Sequence, residues 1–136
     1  MTSLPQSTTQ DSFAYPRDPV WSKSEKAIAR KAFDAALKQE LHETMQAAKR
    51  LASQINEPAD LWELEHYLTE RRKEINRKYD YRYSQLTDVF GRLLHEGRLS
   101  EEHLHGLRED KLKAIRSFAT FLARWTQHDL DSDRVD

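Results

Sequence analysis

Three histidines, at positions 95, 103 and 105, are the residues whose type and spacing come nearest to a chemical site. Imidazole nitrogens bind zinc and related metals, but a site requires the three rings to converge with a fourth ligand. Residues two apart on a helix, such as His103 and His105, point to different faces. The chain has no cysteine, which excludes a thiolate metal site and a cysteine nucleophile. We therefore predict no metal and no cofactor.

Carboxylates are the other abundant reactive groups, with 23 Asp and Glu residues in the chain. None stands in the sequence beside an evident nucleophile, a glycine-rich loop or a set of metal ligands. General acid–base or covalent catalysis needs such neighbours. We therefore predict that the protein is not an enzyme and that its function lies in binding.

The composition limits the partners. A third of the 136 residues are charged, yet the formal net charge is only -1, so no general attraction to nucleic acid or anionic membrane is expected. The sequence has no signal-peptide pattern, and no stretch approaches the roughly 20 apolar residues that span a bilayer. We predict a cytoplasmic protein without membrane contact.

Strong helix formers dominate and glycine is rare, which predicts an all-α fold. Residues 1–20 are rich in Ser, Thr, Gln and Pro and are predicted to form a disordered tail. Near its end, Phe13, Tyr15 and Trp21 could dock back on the body or stay exposed. A single helical domain is predicted over residues 21–126, followed by a disordered acidic tail at 127–136.

Three helices are predicted inside the domain, at about residues 23–55, 60–96 and 101–125. Ser22 and Glu25 form a capping box before the first helix, and Asp60 is the predicted cap of the second. Gly97 is typical of a helix end, and Ser100 is the predicted cap of the third helix.

One apolar stripe is predicted on the second helix, because seven of its residues share a narrow sector at 100° per residue. The predicted dimer and core residues are Leu61, Leu64, Leu68, Ile75, Tyr79, Leu86 and Phe90. A helix of this length would be roughly 55 Å long, more than the other helices of a small domain can cover. We therefore predict long antiparallel helices with a smaller helical head region, assembled as a homodimer.

A tryptophan lies off this stripe. Trp62 and His66 are four residues apart and are neighbours on a helix surface, while Glu65 and Arg72 fall on the flank of the stripe. Tryptophan and arginine are enriched among interface hot spots. We interpret these residues as a partner-binding patch; in the alternative interpretation, Trp62 packs under the first helix beside solvated charges.

The stretch from Asp60 to Asp80 reads DLW-x-L-x-x-Y-L-x-x-R-R-x-E-I-x-x-K-Y-D. The pattern continues as Glu96-Gly97-x-Leu99 and as Asp110-Lys111-x-x-x-Ile115. With these motifs the chain resembles the fluorescence recovery protein family of cyanobacteria and its bacterial homologues. The resemblance covers nearly the whole body, from about Trp21 to Ile115.

The resemblance implies an all-helical homodimer, and it leaves open whether dimers pair into tetramers. Proteins of that family bind the C-terminal domain of the photoactivated orange carotenoid protein and speed its return to the resting form. The implied partner of this chain is therefore a protein client, either an orange carotenoid protein or a protein like its C-terminal domain.

The family's tryptophan and arginine fall on Trp62 and Arg72 and are kept. The family has a histidine–aspartate pair where this chain has Glu65 and His66, so the acid and the imidazole are exchanged.

Two further positions depart from the family. Asp88 stands where the family has a phenylalanine that contacts the client, and Ala114 stands where it has a lysine. A charge in place of an apolar anchor has to be desolvated at an interface. The departures fit either a rearranged surface for a carotenoid protein or a divergent homologue with another client. The predicted partner-binding residues are Trp62, Glu65, His66, Arg72, Asp88 and Ala114.

A basic run on the second helix supports an alternative function. It consists of Arg71, Arg72, Lys73, Arg77, Lys78 and Arg82, interleaved with Glu70, Glu74 and Asp80. Because acids and bases four apart pair on a helix, a solvated face is the simpler interpretation. The alternative is a DNA-binding or scaffold dimer of a non-photosynthetic bacterium, with the break at Gly97 resembling that of a helix-turn-helix.

Overall fold

The computed structural model describes residues 20–134, and the side chains of residues 20–129. Its helices are α1 (Lys23–Ser53), α2 (Pro58–Lys78), α3 (Leu86–His95), a short 3₁₀ helix (Glu101–Leu104) and α4 (Glu109–Arg134). The described range contains no strand, so the all-α prediction is confirmed. No helix in this range is long and apolar enough to cross a membrane. The predicted tail at 1–20 falls, except for Val20, outside the described residues.

The helices α1 and α2 form two antiparallel arms. Thr44 and Glu40 of α1 contact Arg71 of α2, while Phe33, two turns nearer the start of α1, meets Tyr79 just beyond the end of α2. Residues later in α1 therefore contact residues earlier in α2, as expected for antiparallel helices. This arrangement agrees with the predicted long antiparallel helices.

The predicted caps differ in detail. Ser22 Oγ accepts a hydrogen bond from the backbone N–H of Glu25, and the Glu25 carboxylate accepts from that of Ser22, which confirms the first capping box. The second helix begins at Pro58 rather than Asp60, because proline fits the first turn, where no backbone donor is needed. Asp60 lies inside that turn and accepts from the N–H groups of Asn56 and Glu57, both at 3.0 Å.

The predicted helix over residues 60–96 is wrong, since α2 ends at Lys78 and α3 begins at Leu86. Tyrosines at 79, 81 and 83 alternate with charged residues in the intervening segment. A non-helical backbone can direct alternate side chains to one side, whereas a helix would turn them by about 200° per pair. Tyr79 and Tyr81 contact Phe33 of α1, and Tyr83 contacts Trp21, two residues before α1. This packing opposes a continuous helix.

Aromatic contacts fix this segment. The Phe33 ring centre lies 4.8 Å from that of Tyr81, and Trp21 lies 5.7 Å from Tyr83. The indole N–H of Trp21 also donates to the Tyr83 carbonyl at 3.2 Å. On the solvent side, the Arg30 guanidinium stacks 3.6 Å from the Tyr81 ring centre. Trp21 is buried, so of the two open alternatives for this residue, docking on the body is confirmed.

The head consists of α3, the 3₁₀ helix and α4, and contains most of the core. Leu86, Phe90 and Leu93 are fully buried and pack in one cluster with Ile115 of α4. Gly91 lets the two helices approach closely: a Cβ there would lie 2.9 Å from both the Ile115 carbonyl oxygen and the Phe118 Cβ.

The predicted third helix is also wrong at both ends. Ser100 precedes only the 3₁₀ turn, and α4 begins at Glu109, after Gly106 adopts a φ of 106°. A side chain at Gly106 would also meet Ile28 Cδ1 at 2.6 Å. The helix then continues to Arg134, so the prediction of disorder from residue 127 fails through 134. Neither glycine nor proline follows Gly106 to stop the helix.

The seven stripe residues differ in burial in the monomer. Ile75, Leu86 and Phe90 are buried, and Tyr79 and Leu64 are half-buried. Leu61 and Leu68 are exposed. The single stripe predicted for this region is therefore wrong, because the break after Lys78 changes the direction of the chain.

A buried carboxylate joins the arms to the head. Glu40 of α1 is only 1% exposed, and it accepts hydrogen bonds from Lys78 Nζ at 2.8 Å, Arg71 Nη2 at 2.9 Å and the Tyr79 hydroxyl at 2.8 Å. Arg98, which follows α3, lies 3.2 Å away. Burial raises the pKa of Glu40, but the hydrogen bonds of Lys78, Arg71 and Tyr79 outweigh it and hold the pKa at about 2.

A second buried carboxylate attaches the start of α4 to α1. Glu25 accepts from the backbone N–H of Arg108 at 2.9 Å and pairs with buried Lys111 at 3.2 Å. Burial raises the pKa of Glu25, while the N–H groups of Ser22 and Arg108 and the Lys111 ammonium lower it to about 2. Both carboxylates are therefore ionised in the folded protein at neutral pH.

Gly91→Ala should destabilise the protein. Alanine would gain about 1 kcal/mol in helix propensity, but overpacking typically costs about 1–3 kcal/mol, and the backbone oxygen of Ile115 cannot rotate away. Urea unfolding should show a lower midpoint. Gly97→Ala is the control without steric overlap, because its Cβ would meet nothing within 4 Å. Any loss of stability in that variant would come from backbone strain at its φ of 77°. A Gly91→Ala protein as stable as wild type would contradict the close approach of α3 and α4.

Acid should weaken the fold in a defined pH range. The folded pKa of Glu40 is below its ordinary 4.5, so its contribution is fully present above pH 4.5 and is lost as the pH falls towards 2. Glu40→Gln should lower stability at pH 7 by about 3–5 kcal/mol, because it leaves buried cations without their anion. It should also reduce the fall in stability between pH 4.5 and 2.

The matched control is Glu43→Gln, since Glu43 pairs with the same Arg98 at 3.0 Å but is exposed. It should cost less than about 1 kcal/mol. Denaturant titrations across pH measure both variants. Equal losses of stability in Glu40→Gln and Glu43→Gln would contradict a larger contribution from the buried carboxylate than from the exposed one.

Candidate functional site

The predicted patch begins with an exposed tryptophan. Trp62, in the first turns of α2, is 62% exposed. The alternative in which it packs under the first helix is therefore wrong. His66, one turn further along, is exposed as well. A large aromatic ring left in water beside a polar neighbour is a feature of protein-binding surfaces.

A groove runs between the arms, and its lining on α2 begins at Glu65, three residues beyond Trp62. Its volume is about 390 Å³, and both Glu65 and Arg72 line it. Leu41, Leu68 and Ile75 form its apolar floor and walls. The structure thus brings Glu65 and Arg72 to one groove, whereas the sequence placed them only on the flank of the stripe.

Arg71 lines the groove and connects its two walls. Its guanidinium donates to Glu40 at 2.9 Å, to Thr44 Oγ1 at 3.3 Å and to Glu74 at 2.7 Å, so it ties α2 to α1. Burial lowers the pKa of Arg71, but Glu40 and Glu74 outweigh this and raise it. Arg72, the next residue, is exposed and remains available to a partner.

Sequence reasoning missed the contribution of α1 to this surface. Leu41 and Met45 are exposed on α1, and both line a second apolar recess with Leu37. Their spacing of four residues was a usable signal for one helix face.

Asp88 and Ala114 lie in the head, away from the arm surface. Asp88 is exposed on α3 and lines a polar recess with Arg77, Arg92 and Phe118. Ala114 is exposed on α4. The six predicted partner-binding residues therefore occupy two regions, one on α2 and one on the head.

Four of the six residues of the basic run pair with carboxylates of the same chain. Arg71 and Lys78 bind buried Glu40, Arg71 also binds Glu74, and on the surface Lys73 pairs with Glu70 and Arg82 with Asp80. Within residues 20–129, only Arg72 and Arg77 of the run have no carboxylate partner. A nucleic-acid surface needs several free cations along one face, so the structure does not favour that alternative.

The three histidines have no common site. His103 Nδ1 accepts a hydrogen bond from the backbone N–H of Ser100 at 3.0 Å and so helps to begin the 3₁₀ helix. Among the residues that the structure describes, no group of three or more potential metal ligands converges.

Comparison with known proteins agrees with this architecture. The family model described as photoprotection regulator fluorescence recovery protein matches residues 21–119. The fluorescence recovery protein of Synechocystis sp. is 38% identical over 99 residues, which is 73% of this chain and 91% of that protein.

Solved structures are similar over the same region. The Fremyella diplosiphon fluorescence recovery protein is 40% identical with a TM-score of 0.71, and the Synechocystis protein is 38% identical with the same score. Each match covers 74% of this chain and 99% of the other. With its fold, its motifs and these matches, the chain belongs to the photoprotection regulator fluorescence recovery protein family.

Proposed function

We propose that this protein is a non-enzymatic regulator that works as a homodimer and binds a protein client through the arm surface around Trp62. The exposure of Trp62, one helical turn before an apolar groove, supports this proposal in a chain that belongs to a family of photoprotection regulators. The absence of a membrane-spanning helix in the described range is compatible with action in the cytoplasm.

The apolar surface of the arms supports dimer formation. Leu41 and Met45 on α1 and Leu61 and Leu68 on α2 are exposed. Monomeric proteins rarely expose contiguous apolar surface of this kind. A second copy related by a twofold axis would bury the same residues from both chains. Pairing of two such dimers into a tetramer would need a further surface.

The client that we propose is an orange carotenoid protein, or a protein like its C-terminal domain, whose return to the resting form this protein would speed. Trp62 and Arg72 are both exposed and form the retained part of the client surface. Asp88 replaces an apolar anchor in the head, so the arm surface should contribute more of the binding energy in this chain than the head does.

Leu68→Glu should dissociate the dimer. The charge would lie in the apolar groove and would have to be desolvated on association. Sedimentation at tens of micromolar should show a dimer for the wild type and a monomer for the variant. Lys73→Glu, an equally severe charge change at an exposed position of α2 outside the groove, should remain dimeric. Sedimentation of the wild type as a monomer at this concentration would contradict the proposed dimer.

Trp62→Ala should abolish most of the activity, because the substitution removes a binding hot spot of at least about 2 kcal/mol, or roughly 30-fold in affinity. It should not unfold the protein, because the Trp62 side chain is exposed. The assay follows dark recovery of the orange form of a photoactivated carotenoid protein. Glu63→Ala, at the next position and also exposed, is the control. Acceleration that survives Trp62→Ala would contradict the proposed surface, and no acceleration by the wild type would reject the client.

A further inference from the structure

A second exposed aromatic surface lies on α4, beyond the part of the chain that matches the family. The match ends at residue 119, whereas α4 continues to Arg134. Phe121 is 56% exposed and Trp125 is 58% exposed. The core cluster described above contains neither ring. Large aromatic side chains are thus left in water on the head as well as on the arms.

This part of α4 extends beyond the core of its own chain. Within residues 120–129, every side chain is exposed except that of Leu122, which is half-buried. A helical segment of this length has little stability in water unless one face packs on something. The exposed face is therefore available to another molecule.

The aromatic rings continue the part of the head surface that contains Asp88 and Ala114, two of the predicted partner-binding residues. Phe118 is half-buried and lines the same recess as Asp88, and its ring stacks on that of Phe121 with the centres 6.0 Å apart. One face of α4 carries four residues spaced by four, three and four positions: Ala114, Phe118, Phe121 and Trp125. The predicted head residues and the exposed rings therefore form one continuous surface.

We infer that the α4 aromatic face, formed by Phe118, Phe121 and Trp125, is a second contact for the protein client, in addition to the arm surface around Trp62. This inference rests on the client binding proposed above. Asp88 gives the α3 side of the surface a charge, so the exposed apolar part of the contact comes from α4. Exposed aromatic rings of this size are frequent hot spots in protein interfaces.

The charges beside this face indicate the chemistry of the partner. Residues 111–128 contain no acid and four cations: Lys111, Lys113, Arg116 and Arg124. Lys111 pairs with a buried glutamate of α1, and Arg116 pairs with two exposed glutamates. Among the described side chains, Lys113 and Arg124 have no carboxylate partner.

These two free cations lie on one side of the aromatic face. Lys113 and Arg124 line a recess of about 360 Å³ together with Phe121. A partner that covers Phe121 therefore meets both cations at the rim, where its carboxylates can form charge-assisted hydrogen bonds. We expect the client to present an apolar pocket with acidic residues along one edge.

Charge also separates this partner from two others. A nucleic-acid surface needs several free cations along one face, and only two are present here. A second copy packed antiparallel on this face would set the basic flank against its own counterpart, which is unfavourable because like charges repel.

The affinity for the C-terminal domain of an orange carotenoid protein, measured by calorimetric titration, tests the contact. Phe121→Ala with Trp125→Ala should weaken binding at least about tenfold, because it removes two hot-spot rings. Thr126→Ala, an exposed position on the same turn, is the control and should change the affinity by less than about twofold.

A charge-matched pair of variants tests the basic flank. Arg124→Gln should weaken binding of the same domain. Ala123→Glu changes the net charge equally, but it lies on the opposite side of α4 and should have little effect. Equal effects of the two changes would contradict an acidic edge on the client.

The outcomes distinguish this contact from the arm surface. If Trp62→Ala weakens binding and the double aromatic change does not, the α4 contact is wrong and the arm surface stands. A wild type that does not bind the domain would overturn both proposals. Circular dichroism should show an unchanged helix content, because alanine favours helix. Sedimentation should show the wild-type association state, and a change in it would assign the face to a second copy and overturn the inference.

Discussion

The Glu40 carboxylate lies where the end of α2, the tyrosine segment and the chain after α3 meet α1. Lys78, Arg71 and Tyr79 donate to it, and Arg98 approaches within 3.2 Å. A buried anion contributes to a fold only when its lone pairs are satisfied, and here donors from both the arms and the head satisfy it. Glu40 therefore links α1, the end of α2, the tyrosine segment and the chain after α3 in one network.

This arrangement separates stability from recognition along α2. Residues near its C-terminal end, such as Ile75 and Lys78, face the core or the Glu40 network. Residues near its N-terminal end, Leu61 and Trp62, face solvent. The first part can hold the helix in place while the second contacts another molecule. An arginine pair shows the same division, since Arg71 is bound to Glu40 and Arg72 is free to bind a partner.

The sequence predicted the helical fold, the first capping box and the flank position of Glu65 and Arg72, because these depend on local periodicity. It did not predict the break at Tyr79–Tyr83, where helix formers continue and the alternation of tyrosines is short. That break depends on contacts with Phe33 and Trp21, which are more than 40 residues away in sequence. The Glu40 network was missed for the same reason, since a buried glutamate is identical in sequence to an exposed one.

We expect the first turns of α2 to form the client-binding surface. Hydrogen exchange of the protein with and without the C-terminal domain of an orange carotenoid protein measures this directly. Exchange should slow at about residues 58–66, while α3, on which the charged Asp88 is exposed, should change little. Protection confined to α3 and α4, with none at the start of α2, would contradict it.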